Sequence, residues 1–245
     1  MTMRNLKKAP KVIQKSKCIN HIIDYKWNEK IMSGLLDPSE GNDGLDSTLN
    51  KIGHKAAIGL TASLLEWIYW RFKEYTTMSD DLYQRIETLW YSVENHEDSK
   101  PLLFDPELDI PISGFINGPM WVALMNVRMI DVLYKKGSSM LQSELVGLVL
   151  LVRHITPKKK KFDKWLESTL SKLANQFPNQ NVQIEFSEDA VYDSSAEPVV
   201  CREFFFQSTF TYSNEAAKLA LNDFILHIDY EINSFCNNKK KFVNG

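Results

Sequence analysis

The 245-residue chain has few of the residues that mark disulfide, metal or catalytic sites. Three cysteines, Cys18, Cys201 and Cys236, lie far apart along the sequence. Their odd number and wide spacing exclude a disulfide framework and a paired zinc motif, and reduced thiols indicate a cytoplasmic protein. The motifs typical of nucleotide binding, zinc proteases and serine hydrolases are also missing. We therefore expect no metal and no cofactor.

Glycine, proline and long apolar runs are also scarce. Ten glycines and nine prolines provide few sharp turns, which favours helices over a β-sandwich or barrel. The most apolar stretch, residues 56–70, contains one charged side chain, Glu66. It is shorter than the roughly 20 residues that span a bilayer and too apolar for a surface helix. These features predict an all-α, single-domain bundle around a central apolar helix, with no membrane partner.

The spacing of apolar residues predicts the remaining helices. We expect the central helix to begin at Asp46 or Ser47, either of which can cap it, and Gly137 to form a left-handed helix cap. The other predicted helices cover residues 19–36, 79–95, 120–136, 138–155, 158–177 and 214–235.

Two parts of the chain do not show helical periodicity. Residues 98–117 contain prolines and predict an irregular connection. Residues 179–212 are ambiguous between strand and coil, because Val182, Ile184 and Phe186 alternate with polar residues as in a short strand. We interpret residues 197–212 as an extended segment, which makes the C-terminal part of the bundle irregular.

Positive charge is concentrated at both ends of a chain whose net charge is −2. Residues 1–30 contain eight lysines and arginines and two acidic residues, and residues 239–241 are all lysine. No apolar segment follows the basic N-terminus, so it does not match a secretory signal. The sequence predicts a flexible basic tail over residues 1–18, one helical domain over 19–238 and a second basic tail over 239–245.

Negative charge is densest in residues 78–110, which we call the acidic segment. It contains nine acidic residues against Arg85 and Lys100. This charge disfavours nucleic acid as a partner, since phosphate binding needs clustered cations, and favours a partner protein with a basic surface. The alternative is a solvated surface that keeps the protein soluble. The residues expected to bind the partner are Asp80, Asp81, Glu87, Glu94, Glu97 and Asp98.

Three charged residues lie on otherwise apolar helices and predict a polar network in the core. Arg128 and Asp131 are three residues apart on one helix and can form an ion pair. Glu66 needs a partner to stay charged in a dry core, and Arg128 is our first candidate. Because buried carboxylates also mark active sites, a hydrolase built on Glu66, Asp80 or Asp81 stays open as an alternative to this structural role.

Three stretches of the sequence resemble a known group of proteins. They are LLEWIYWRF (residues 64–72), NGPMWVALMNVRMIDVLYKKG (117–137) and PVVCREFF (198–205). Together they resemble helical bacterial proteins of polymorphic-toxin loci (type VI and Rhs-like), which are taken to be immunity proteins. The resemblance implies a cytoplasmic, non-enzymatic protein that binds a cognate protein toxin and neutralises it by occlusion. A helical adaptor or regulatory protein is the alternative.

Overall fold

The computed structural model describes residues 5–38, 41–180 and 191–237 of the chain. Within these ranges there are ten α-helices and no β-strand. The predicted all-α class is confirmed. The helices are α1 (Lys11–Lys15), α2 (Glu29–Leu36), α3 (Asp43–Leu49), α4 (His54–Phe72), α5 (Ser79–Asn95), α6 (Asn117–Lys135), α7 (Leu141–Ile155), α8 (Lys159–Gln176), α9 (Arg202–Phe206) and α10 (Asn214–Leu226).

Helix α4 is the centre of the core, as its composition predicts. All nineteen of its residues are buried, and α5, α6, α7 and α9 pack against it. Trp67, Leu64, Leu148 and Trp121, which the pattern also predicts to be buried, are at most 8% exposed. Despite its apolarity, neither α4 nor any other helix in the described ranges is long and apolar enough to cross a membrane.

The start of α4 differs from the prediction of one helix beginning at Asp46 or Ser47. The chain instead forms α3, breaks at residues 50–53, and restarts at His54. Tertiary contacts cause the break: the Gly53 N–H donates to the Phe177 carbonyl at 2.8 Å, and Ile52 forms an isolated antiparallel bridge with Pro178. The sequence pattern missed the break because its cause lies more than 120 residues away.

The N-terminal residues do not form the free tail that we predicted for 1–18. Leu6, Ile13 and Cys18 are buried, and α1 packs against α8. The Cys18 thiol lies 3.5 Å from the Thr156 hydroxyl, to which it donates. Residues 5–18 therefore belong to the helical domain. Residues 1–4 and the predicted tail at 239–245 lie outside the described ranges.

The predicted helix over 19–36 begins only at Glu29, after a non-helical stretch. The buried Arg71 side chain on α4 donates to the backbone carbonyls of His21 and Ile22. Residues 19–28 are therefore non-helical and are bound to α4 through these carbonyls. The Asn28 side chain then accepts from the Ile31 N–H at 3.0 Å and caps α2. This is the usual role of asparagine at a helix N-terminus.

The other predicted helices and the Gly137 cap form, with shifted ends, but the extended segment predicted over residues 197–212 is wrong in part. Gly137 has φ of +60°, as predicted for a left-handed cap, and its carbonyl accepts from the Tyr192 N–H at 2.9 Å. Helix α10 ends at Leu226 rather than at residue 235, and the short helix α9 interrupts the segment that we predicted to be extended. The strand signal at Val182, Ile184 and Phe186 lies outside the described ranges.

We predict that Leu148→Ala lowers the free energy of unfolding by about 2–5 kcal/mol, because the side chain is fully buried and its loss leaves a cavity. Leu219→Ala is the matched control, since Leu219 is helical and 72% exposed; its effect should stay within about 0.5 kcal/mol. Urea denaturation measures both. Equal effects would contradict the placement of α7 in the core.

Candidate interaction surface and buried charged residues

The acidic segment presents a negative surface to solvent. Six of its nine acidic residues are exposed, namely Asp80, Glu94, Glu97, Asp105, Glu107 and Asp109. Of its two basic residues only Lys100 is exposed, because Arg85 is buried with its Nε 2.7 Å from the Asp81 carboxylate. The excess of acidic residues in the sequence is therefore also an excess at the surface.

The six predicted partner-binding residues do not all belong to this free surface. Asp80, Glu94 and Glu97 are exposed. Asp81 is half-buried and is bound by Arg85, and Glu94 lies 3.4 Å from the buried Lys55 ammonium. Asp98 is half-buried, in the 3-10 turn that follows α5. Asp80 and Glu97 are thus the two that the structure leaves most accessible.

Glu87 is a clear correction, because its carboxylate is buried and cannot touch a partner. Its two oxygens accept from the side-chain amides of Asn5 at 2.9 Å and Asn233 at 3.2 Å. Burial raises the pKa of Glu87, although these hydrogen bonds act in the opposite direction. Glu87 therefore joins the N-terminal and C-terminal segments to α5. The sequence pattern missed this role because both partners are distant in sequence.

The connection between α5 and α6 adds apolar groups to the negative surface. We call residues 103–116 the connecting loop. Leu103, Leu108, Ile112 and Phe115 are exposed by 64%, 83%, 44% and 54%. An open groove lined by Pro106, Ile110, Ile112 and Trp121, among others, lies along the loop. Exposed apolar side chains beside acidic ones are typical of an interaction surface.

Three charged side chains hold the start of this connection in place. The Arg85 guanidinium donates to the carbonyls of Leu102 and Leu103. The Asp131 carboxylate accepts from the Leu102 N–H at 2.9 Å, and Arg128 donates to the Phe104 carbonyl at 3.2 Å. Buried backbone groups outside helices need such partners.

The predicted Arg128–Asp131 and Arg128–Glu66 ion pairs are wrong. Asp131 is instead paired with Lys135, one helical turn further along α6, at 3.0 Å. Arg128 binds the backbone of the connecting loop, as described above. Glu66, Arg128 and Asp131 therefore form no common network. The two charged side chains of α6 bind backbone groups of residues 102 and 104 instead of Glu66.

Glu66 is paired with Arg202 of α9. The guanidinium makes two hydrogen bonds to the carboxylate, at 2.8 and 2.6 Å, and the Trp70 indole N–H donates a third at 3.1 Å. Burial lowers the pKa of Arg202, but the charge and hydrogen bonds of Glu66 outweigh it, so the pKa is raised overall. The sequence held one usable signal: Arg202 is the only basic residue between positions 191 and 212.

Glu197 supplies the cap that the N-terminus of α4 lacks locally. Its carboxylate accepts from the N–H groups of His54 at 2.9 Å and Lys55 at 2.7 Å. An anion at a helix N-terminus also interacts favourably with the helix dipole. A Cβ atom at Gly53 would lie 2.9 Å from both carboxylate oxygens, so a side chain at this position would push the Glu197 carboxylate away from the N–H groups that it caps.

The buried His54 ring lies beside this cap. One ring nitrogen is 3.0 Å from the Ser138 carbonyl, and the other is 3.4 Å from the Gln142 amide nitrogen and 4.0 Å from the Glu197 carboxylate. Burial lowers the pKa of His54, while Glu197 and the Ser138 carbonyl oppose that shift. The ring is enclosed among backbone and side-chain partners.

Two of the three carboxylates named for the hydrolase alternative are occupied by a basic side chain. Glu66 is fully buried and neutralised by Arg202, Asp81 is bound by Arg85, and Asp80 is exposed at the first turn of α5. Burial raises the pKa of the Cys201 thiol to about 12, which disfavours the reactive thiolate. No group of three or more potential metal ligands occurs in these ranges.

Comparisons of the chain with protein-family models, with curated proteins and with solved structures give no match.

We predict that Arg202→Met lowers the free energy of unfolding by about 3–5 kcal/mol, because it leaves the fully buried Glu66 carboxylate without its cation. Glu66→Gln should cost less, since the Arg202 side chain is 15% exposed and water can solvate it. Urea denaturation measures both effects.

Arg153→Met is the matched control for this experiment. Arg153 makes a similar two-bond contact with Asp163, at 2.7 and 3.1 Å, but the two side chains are 48% and 39% exposed. Its loss should cost less than about 1 kcal/mol. Equal losses for Arg202→Met and Arg153→Met would contradict the structural role of the buried pair.

His54 should make the fold sensitive to acid. Because its pKa is lowered in the folded state, the unfolded chain binds more protons between that pKa and the ordinary value of about 6.5. The free energy of unfolding therefore rises with pH through this window, and the contribution of His54 is lost as pH falls below about 6.5 towards the lowered pKa. Urea denaturation across this range should show a smaller slope for His54→Gln than for the parent, whereas His227→Gln, at an exposed histidine, should leave the slope unchanged.

Proposed function

We propose that the protein is an immunity-type inhibitor that binds a cognate protein toxin and neutralises it by occlusion. The observation that carries the proposal is the surface of the acidic segment, with six exposed acidic residues against one exposed basic residue. The exposed apolar side chains of the connecting loop adjoin this surface in sequence. Together they suit a partner that offers basic side chains around an apolar contact.

The charge would act mainly on the rate and selectivity of binding. Opposite charges steer two proteins together and select against wrong partners. The exposed apolar side chains would supply the surface that is removed from water on binding, which is the main source of affinity in most interfaces. A cytoplasmic location and an inhibitor without catalytic activity belong to the same proposal, which the sequence resemblance to immunity proteins also supports.

The test uses a charge-reversed variant and a control with the same change of charge. The reversal is Asp80→Lys, Glu97→Lys and Glu107→Lys, at exposed positions of the acidic segment. The control is Asp43→Lys, Glu167→Lys and Glu231→Lys, at exposed acidic residues elsewhere. Asp43 matches Asp80, because each lies in the first turn of its helix.

We predict that the tagged parent and the control retain the same basic protein from the native host, and that the reversed variant does not. When the basic partner has been purified, a rise in salt concentration should lower the association rate constant more than it changes the dissociation rate constant. Co-expression should protect cell growth with the parent and the control but not with the reversed variant. If the reversed variant also retained the basic protein and protected growth, the acidic segment would not be the binding surface. Symmetric self-association without a foreign partner would favour an adaptor role.

A further inference from the structure

The structure brings together two lysine-rich segments that are about 140 residues apart in sequence. Helix α1 packs against α8, and the Cys18 thiol lies 3.5 Å from the Thr156 hydroxyl. This contact joins the residue after Lys17 to the residue two positions before the run 158–161, all of which are lysine. We call Lys11, Lys15, Lys17 and residues 158–161 the lysine face, and all seven side chains are exposed.

The two lysine-rich segments themselves contain little negative charge. Asp24, outside them, is close enough to act on the Cys18 thiol and lies 3.9 Å from the Arg71 guanidinium. Residues 5–20 contain no acidic side chain, and Asp163 is the only one within residues 156–166. Asp163 is already bound by Arg153 at 2.7 Å. None of the seven lysines makes an ion pair with another part of the chain that the structure describes.

Some of these lysines occupy positions that are locally unfavourable. Residues 159–161 form the first turn of α8, where cations oppose the helix dipole, and this turn has no acidic residue and no side-chain cap. None of these lysines is paired with an acidic side chain of the described residues, so an external anion is the natural counterpart.

The surroundings of the lysines decide between kinds of anion. Neither α1 nor α8 exposes a large apolar side chain, and Ile22, which is 72% exposed and which Arg71 holds near Ile155, is a single one. Insertion into a membrane surface needs a whole apolar helix face. Neither of the two helices exposes an aromatic ring; Phe162 and Trp165 of α8 are buried. Without such rings there is no platform for stacking unpaired bases. A cluster of lysines alone matches the evenly spaced phosphates of a duplex.

We propose that the lysine face binds the phosphate backbone of double-stranded nucleic acid without reading its sequence. From the sequence we expected no nucleic-acid partner, because most of the chain between its two basic ends is acidic. The fold separates the charges, since α8 packs mainly on α1, α3 and α7, whereas α5 of the acidic segment packs mainly on α4 and α10. This proposal does not rest on the inhibitor role.

The test measures binding of the full chain to a short fluorescein-labelled DNA duplex by anisotropy, between about 50 and 200 mM salt. One variant replaces all four lysines of 158–161 by glutamine, and a second carries Lys11→Gln, Lys15→Gln and Lys17→Gln. The control replaces four exposed lysines outside the face by glutamine, at Lys30, Lys51, Lys136 and Lys218. Circular dichroism confirms that each variant is folded.

We expect the parent to bind in the range of non-specific complexes, with Kd of about 10⁻⁴ to 10⁻⁶ M near physiological salt. Each face variant should bind roughly tenfold or more weakly and with a shallower salt dependence, because each lost phosphate contact removes about 0.9 from the slope of log K against log salt. The control should bind like the parent.

Several results would overturn the proposal. One is equal binding by the parent and either face variant, and another is equal weakening of the control, which would indicate an effect of net charge alone. Tighter binding to the single strand than to the duplex would contradict the assignment to a duplex. Binding to vesicles of phosphatidylserine and phosphatidylcholine, without binding to the duplex, would assign the face to a membrane instead.

Discussion

The complete burial of α4 is the constraint on which the rest of the structure depends. A helix that is apolar on every side must be covered on every side, and here α5, α6, α7 and α9 provide the cover. Residues 197–205 follow α4 along its length: Glu197 caps its start, and Arg202 neutralises Glu66 further along. Between them, a Cβ atom at Gly59 would lie 2.7 Å from the Val200 side chain, so the segment lies directly on the helix backbone.

Charged side chains on the helices hold the irregular segments by binding their backbone. Arg71 binds carbonyls of residues 21 and 22, Arg85 binds those of 102 and 103, and Asp131 accepts from the Leu102 N–H. Non-helical backbone buried against a core leaves polar groups that must find partners. This arrangement explains why a helical domain buries these charged side chains: they satisfy the backbone of the chain itself.

The surface carries its charge in two separate places. The acidic segment lies on α5 and the connecting loop, whereas the lysine face lies on α1 and α8. A net charge of −2 therefore says little about what either surface attracts, because charges beyond a Debye length of about 8 Å are largely screened from one another. The two proposals, a basic protein partner for one surface and duplex nucleic acid for the other, follow from this separation and stand independently.

The sequence by itself determined the helical class, the central position of residues 56–70, the buried aromatics and the left-handed turn at Gly137. These features depend on local periodicity and on single residues, and both can be read from the sequence directly. Only the tertiary structure decided that Glu66 pairs with Arg202, that Glu87 is buried, that the chain breaks before His54 and that α1 lies beside α8. Each of these depends on a contact between distant residues, and charge or spacing along the chain does not specify which of several possible partners will be adjacent.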